Sequence, residues 1–200
     1  MCPHTAIFVS SKCYIRVLTL LYECPHTNPY VSCRQFTAWG LANFLRALAE
    51  MKRVVEQRML ALLERRVEEI SGDFSAQNIS NTMWALAVME ITPGERMLEL
   101  LEGRVEIISE EFVPHQISHT LWAFATLKRM PGERMLGLLE RQAGAKSGDF
   151  KPEDISITLW AFASLMRIPG ERVMGLLEQR LEQVSGQLCM RLRMYEVLSY

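Results

Sequence analysis

From Phe36 onward the apolar and polar positions of this chain follow two periods at once. The short period is helical, with apolar residues three and four apart. The long period is 38 residues: that step separates Phe36, Phe74, Phe112 and Phe150, and also Trp84, Trp122 and Trp160. It links Gln57-Arg58-Met59-Leu60 to Glu95-Arg96-Met97-Leu98, Glu133-Arg134-Met135-Leu136 and Glu171-Arg172-Val173-Met174. No gap is needed between Phe36 and Gln187, so the chain divides into units 36–73, 74–111, 112–149 and 150–187. Residues 1–35 precede them and 188–200 form a tail long enough for one more, capping, helix.

With the phenylalanine of each unit counted as position 1, the pattern predicts two helices per unit. The first spans about positions 4 to 16, with apolar residues at 6, 10, 13 and 14 and a second row at 7, 11 and 14. So wide an apolar face suits a helix packed between neighbours. Pro93, Pro131 and Pro169 then predict the opening of the second helix, where a missing N–H does no harm. Glu95, Glu133 and Glu171 follow in the first turn, favoured by the helix dipole. Leucines at 27 and 28 carry the helix to about position 35. Ser71-Gly72-Asp73 and Ser147-Gly148-Asp149 close it, the glycine being expected in the left-handed conformation.

One such hairpin cannot bury its own apolar faces, whereas stacked hairpins bury a continuous core. The predicted fold is therefore all-α, an α-solenoid of four tandem 38-residue helix-turn-helix repeats. Trp84, Trp122 and Trp160 each have a serine and an alanine about one turn away, which is read as a packing signature and places them in the repeat core.

Composition narrows the function. A net charge of −1 and a pI of about 6.4 do not describe a strongly basic nucleic-acid binder as a whole. No uncharged apolar run reaches the length of a membrane span. Cys2, Cys13, Cys24 and Cys33 precede the repeats and Cys189 follows them, so no disulfide framework holds the repeated part. Residues 1–35 contain a single acid, Glu23; they read as a poorly structured extension or as a targeting segment.

Little points to catalysis. His115-Gln116-Ile117-Ser118-His119 spaces two imidazoles like a zinc pair, but Gln116 stands where that motif needs its glutamate, so no metal is assigned. Cys2-Pro3-His4 and Cys24-Pro25-His26, with Cys13 and Cys33, match none of the usual zinc spacings. No phosphate loop, nucleophile elbow or carboxylate pair stands out. The expectation is a binding protein without cofactor, not an enzyme.

The variable positions carry more. Positions 4, 8, 12 and 15 are read as sharing one face of the first helix. Position 12 is alanine throughout, as Ala47, Ala85, Ala123 and Ala161. Position 4 holds Trp39, Gln77, His115 and Glu153; position 8 holds Asn43, Asn81, His119 and Ile157; position 15 holds Glu50, Val88, Thr126 and Ser164. Amides, imidazoles and hydroxyls around a flat small residue could read splayed-out bases, as helical repeats that take one base each do. The competing reading is an ordinary solvated or repeat-contact face. Arg58, Arg96, Arg134 and Arg172 make a ladder at position 23 that either contacts successive phosphates or pairs with glutamates such as Glu64, Glu102, Glu140 and Glu178.

The segments Ile-Ser-Asn-Thr-Met-Trp-Ala-Leu-Ala (79–87), Ile-Ser-His-Thr-Leu-Trp-Ala-Phe-Ala (117–125) and Ile-Ser-Ile-Thr-Leu-Trp-Ala-Phe-Ala (155–163) resemble octotricopeptide repeats. They are similar as well to the helical repeats of FAST-kinase-like and RAP-domain proteins. The resemblance implies a protein of mitochondrion or chloroplast that binds single-stranded organellar RNA and acts in its processing, stability or translation. Unit one departs from the pattern, with Arg46 in place of tryptophan and Val55 in place of proline, and nothing resembling a RAP domain follows Gln187. A protein–protein scaffold of α-solenoid type, without RNA, is the alternative.

Overall fold

The computed structural model describes residues 36–53 and 55–197, with side chains as far as 184. The extension 1–35, with its cysteine–histidine pairs, lies outside the described residues, as do the side chains of the tail. The described residues form eight helices and no strand. They are α1 (Ala38–Glu50), α2 (Gln57–Ile70), α3 (Ala76–Val88), α4 (Glu95–Ile108), α5 (Pro114–Thr126), α6 (Glu133–Ala145), α7 (Pro152–Ser164) and α8 (Glu171–Val197). Odd-numbered helices are the first of each unit and even-numbered helices the second.

The odd helices pack in succession, α1 on α3, α3 on α5 and α5 on α7, and these are by far the most extensive contacts in the molecule. The even helices touch their neighbours lightly. One layer is therefore close-packed and the other splayed, the arrangement of an α-solenoid whose odd helices line the tighter side.

Small residues allow that approach. Ala85, Ala123, Ser80, Ser118 and Ala87 are almost wholly buried between successive odd helices. The core proper is made by Phe74, Phe112 and Phe150 at position 1, Ile79, Ile117 and Ile155 at position 6, and Leu86, Phe124 and Phe162 at position 13. Leu63, Leu101, Leu139 and Leu177 of the even helices close it from behind. Burying one such leucine or phenylalanine contributes about 1.5–3 kcal/mol.

Polar clamps repeat with the same period. Arg66, Arg104 and Arg180 each donate from Nε to the carbonyl of the phenylalanine that opens their own unit, Phe36, Phe74 and Phe150, at 2.8, 2.9 and 3.1 Å. The third unit has Gln142 at that position, and Lys146 takes over, donating to the carbonyls of Phe112 and Glu110 at 2.7 Å each. Between units, Glu64, Glu102 and Glu140 accept from the backbone N–H of Gly94, Gly132 and Gly170 at 2.7, 3.2 and 2.6 Å. Each glycine stands just before an even helix, so the carboxylate satisfies a donor that the helix leaves open. A Cβ there would meet the carboxylate at 3.3, 2.7 and 3.1 Å, so a larger residue would require the glutamate to shift, while none of the described glycines has a positive φ. Burial raises the Glu102 carboxyl above its ordinary range, an effect that the Gly132 N–H opposes.

Helix ends differ from the sequence reading in two respects. Pro93 and Pro131 precede the capping glycines Gly94 and Gly132, so proline lies outside the even helix; the prolines in first turns are Pro114 and Pro152, on α5 and α7. The Ser-Gly-Asp segments are 3-10 turns with negative φ at glycine. The left-handed residue falls instead at position 17: Lys52, Glu90, Lys128 and Met166 have φ of 52, 55, 54 and 53°. Their N–H groups bond back to Ala49, Ala87, Ala125 and Ala163, and the next residues' N–H groups reach Leu48, Leu86, Phe124 and Phe162. That pair of bonds is the Schellman closure, made here without glycine.

These placements set the outcome of three substitutions. Gly72 has a negative φ, and nothing stands within 4 Å of the place a methyl would occupy, so Gly72→Ala raises stability in urea unfolding by about 0.4–1 kcal/mol. Glu90→Val, placing a β-branched residue at the left-handed site, lowers it by about 1–2 kcal/mol. The hydroxyls of Thr82, Thr120 and Thr158 (position 9) are buried without a partner, at a cost of about 1–3 kcal/mol each. Thr120→Val therefore raises the thermal midpoint by about 2–4 °C.

Candidate nucleic-acid interface

The outer face of the odd helices is built from positions 4, 8, 11 and 15. Residues three and four apart share a helix face, and both 11 and 12 stand so to 8 and 15; burial decides between them. Ala85, Ala123 and Ala161 at position 12 are completely buried in the seam and cannot be the flat centre of the stripe. Position 11 takes that place. Of the tryptophans expected in the core, Trp84 and Trp122 are partly buried and pack against it, whereas Trp160 is 49% exposed. The helix-wheel angle of position 11 was the signal that distinguishes these readings, and the flanking small residues outweighed it in the sequence.

Position 11 of one unit meets position 8 of the next. Arg46 Nη1 donates to Asn81 Oδ1 at 3.2 Å, and Trp84 stacks on His119 with ring centroids 6.3 Å apart and 18° between planes. Arg46 also lies over the Trp84 ring, 5.6 Å from its centroid, a cation–π contact. No protein-family model matches this chain, and no curated protein matches it. What the stripe does must therefore be argued from its own chemistry.

Within the stripe, amides and imidazoles are already organised. Gln77 Nε2 donates to Asn81 Oδ1 at 3.0 Å, and Gln116 Nε2 to Gln77 Oε1 at 3.0 Å. Gln116 also caps α5, its Oε1 accepting from the Val113 N–H at 3.1 Å. The His115 and His119 rings are 3.9 Å apart, and His115 Nδ1 stands 3.7 Å from Asp154 Oδ1. Asp154, nearly buried, accepts from Ser118 Oγ at 3.3 Å and so ties α7 to α5. Among the described residues no three histidine, cysteine or acidic side chains come together as a metal-binding group.

Not all expected contact residues are equally presented. Gln77, His115, Glu153 and Ser164 are exposed, as is Val88; Asn43, His119 and Thr126 are half-buried, and Asn81 is only 7% exposed. Trp39, at position 4 of the first unit, is 58% exposed. The arginine ladder belongs to the other layer. Arg96, Arg134 and Arg172 are exposed on α4, α6 and α8; Arg96 pairs with Glu99 at 3.3 Å and Arg134 with Glu106 at 3.0 Å. Glu64, Glu102 and Glu140, expected as partners for the ladder, are engaged at the glycine N–H groups instead.

A basic rim, not singled out in the sequence, lies at the C-terminal ends of the odd helices. Lys52 and Arg53 follow α1, Lys128 and Arg129 follow α5, and Arg167 follows α7. Helix C-termini favour cations, so the fold itself supports charge there. Arg129 and Arg167 are ion-paired to Glu95 and Glu133 of the preceding unit, whereas Lys52, Arg53 and Lys128 are exposed.

His119 is held neutral. Burial, then the nearby His115 and Arg46, lower its pKa from 6.5 to about 4, against a smaller opposing effect of Asp154. At neutral pH it therefore offers one donor and one acceptor nitrogen. Because the unfolded chain takes up a proton near pH 6.5 and the folded chain only near 4, folding stability falls as pH drops through that window. The loss is about 1–2 kcal/mol after allowance for solvent screening. His119→Asn, which installs the residue that position 8 carries in units one and two, removes this component from urea unfolding curves compared at pH 7 and pH 4.5.

Proposed function

We propose that this α-solenoid binds single-stranded RNA along the outer face of its odd helices. The observation that carries the proposal is the placement of position 11. Arg46, Trp84, Trp122 and Trp160 recur in register, one per unit, partly or wholly open to the surface, with Trp84 against a neutral imidazole and Arg46 against an amide of the following unit. Aromatic rings give stacking platforms that accept any base. Amide and imidazole edges beside them supply hydrogen-bonding groups of the kind used to read bases. The exposed cations Lys52, Arg53 and Lys128 follow the C-terminal ends of α1 and α5, and such side chains are suited to contact phosphates.

The protein in this reading is a binding module, not an enzyme, and takes no cofactor. Its resemblance to octotricopeptide repeats and to the repeats of FAST-kinase-like and RAP-domain proteins supports a target among mitochondrial or chloroplast transcripts or ribosomal RNA. It acts there in processing, stability or translation, alone or within a ribonucleoprotein complex.

A second reading, a protein–protein scaffold, is favoured by exposed apolar residues at other places: Ile107 on α4, and Met166 and Ile168 after α7, the last two more than nine-tenths exposed. Salt dependence separates the two, since displacing counterions from phosphates gives RNA affinity a steep negative slope with ionic strength. Ultraviolet crosslinking of the full chain to labelled single-stranded RNA, with mapping of the adducts, is expected to mark Trp39, Trp84, Trp122 and Trp160. Trp84→Ala and Trp122→Ala each weaken binding by about 1–3 kcal/mol. Crosslinks confined to residues 1–35, or affinity unchanged between low and high salt, refute the proposal.

A further inference from the structure

The seam between odd helices is made three times within the chain, and each end of the solenoid carries one half of a fourth. α2, α4 and α6 each lead through a 3-10 turn to the next odd helix, whereas α8 runs on to Val197. Among the described residues no odd helix therefore follows α7, and its far side is open. At position 14, Ala49, Ala87 and Ala125 are buried, but Ala163 is exposed. At position 10, Leu45, Met83 and Leu121 are buried, and Leu159 only in part. The near side of α1 is open in the complementary sense. Ala47 is partly exposed where Ala85, Ala123 and Ala161 are completely buried.

Charge divides between the two ends in the same way. Inside the chain an arginine at position 18 pairs with the glutamate at position 22 of the preceding unit, Arg129 with Glu95 and Arg167 with Glu133. Unit one supplies such an arginine, Arg53, and no unit precedes it in the repeat register. Unit four supplies the glutamate, Glu171, and no unit follows it in that register. Both are exposed and without a partner among the described residues. Each end holds the half of the ion pair that the other lacks.

We propose that copies of this chain associate head to tail, α7 of one packing on α1 of the next as odd helices pack within the chain. Two unlike surfaces give a heterologous contact, which grows into a filament or closes into a ring. One part of the junction fits less well than the internal seams. Glu178 is the equivalent of the clamps Glu64, Glu102 and Glu140, and in the repeat register it meets Glu56 of the second copy where units two to four have glycine. Arg53 is taken up by the new ion pair, and Lys52 and Lys128 remain for phosphate. The proposal does not rest on RNA binding.

Sedimentation velocity of the full chain, without RNA and across a wide range of concentration, is the test. The average mass is expected to rise with concentration past that of two copies. Arg53→Glu and Glu171→Arg each weaken the association about five- to tenfold, because an attractive pair becomes a like-charged one. The two substitutions in one chain restore it, since the charges are exchanged across the junction. Glu56→Gly strengthens it, giving α2 the N-cap residue that α4 and α6 have. A chain that is monomeric at every concentration overturns the proposal. So does self-association that ends at two copies, that neither charge reversal weakens, or that the double reversal fails to restore.

Discussion

Everything in this molecule depends on how closely successive odd helices can approach. A hairpin of two short helices has apolar surface on both sides and no means of covering it alone. Ala85, Ala123, Ser80 and Ser118 remove side-chain bulk where α1, α3, α5 and α7 meet, and the odd layer packs far more densely than the even one. Buried apolar area is then shared between units, and stability becomes a sum over neighbours rather than the property of a single centre. Larger residues in that seam would separate the helices that the core needs to bring together.

The polar clamps answer to the same constraint. Once the odd layer fixes the distance from unit to unit, Glu64, Glu102 and Glu140 lie within reach of the glycine N–H groups that open the next even helix. The arginine or lysine that holds the opening phenylalanine carbonyl joins the second helix of each unit to the start of that unit. Charge is directed inward, to backbone groups that helix ends leave open, which leaves the exposed cations of the odd layer concentrated at its C-terminal rim.

The candidate interface is what the seam leaves over. Positions 6, 7, 10, 12, 13 and 14 are consumed by packing, in whole or part, and 4, 8, 11 and 15 lie toward the outside, with Asn81 at position 8 nearly covered. Repetition then places equivalent side chains at regular intervals, while their identity varies from unit to unit. Arg46 in place of a tryptophan looks like decay in the sequence; in three dimensions it donates to the Asn81 amide and lies over Trp84. Two histidines spaced like a metal pair pack against each other, His119 also stacks on Trp84, and the burial of His119 keeps it neutral.

The 38-residue period, the helix pairs, the all-α stacked architecture and the acidic first turns of α4, α6 and α8 were determined by the sequence alone. These are local or strictly periodic properties, and helical spacing within one segment is enough to reveal them. Contact between units is not periodic in that sense, and it was decided only by tertiary structure. It turned Trp160 outward and Ala123 inward, because which side of a helix is covered depends on the next helix and not on the composition of its own turn. It placed the left-handed residues at Lys52, Glu90, Lys128 and Met166, where tight closure of the odd helix outweighs the preference for glycine. And it joined Val113, Gln116, Gln77, Asn81 and Arg46, drawn from three units, into one chain of hydrogen bonds that no single segment could specify.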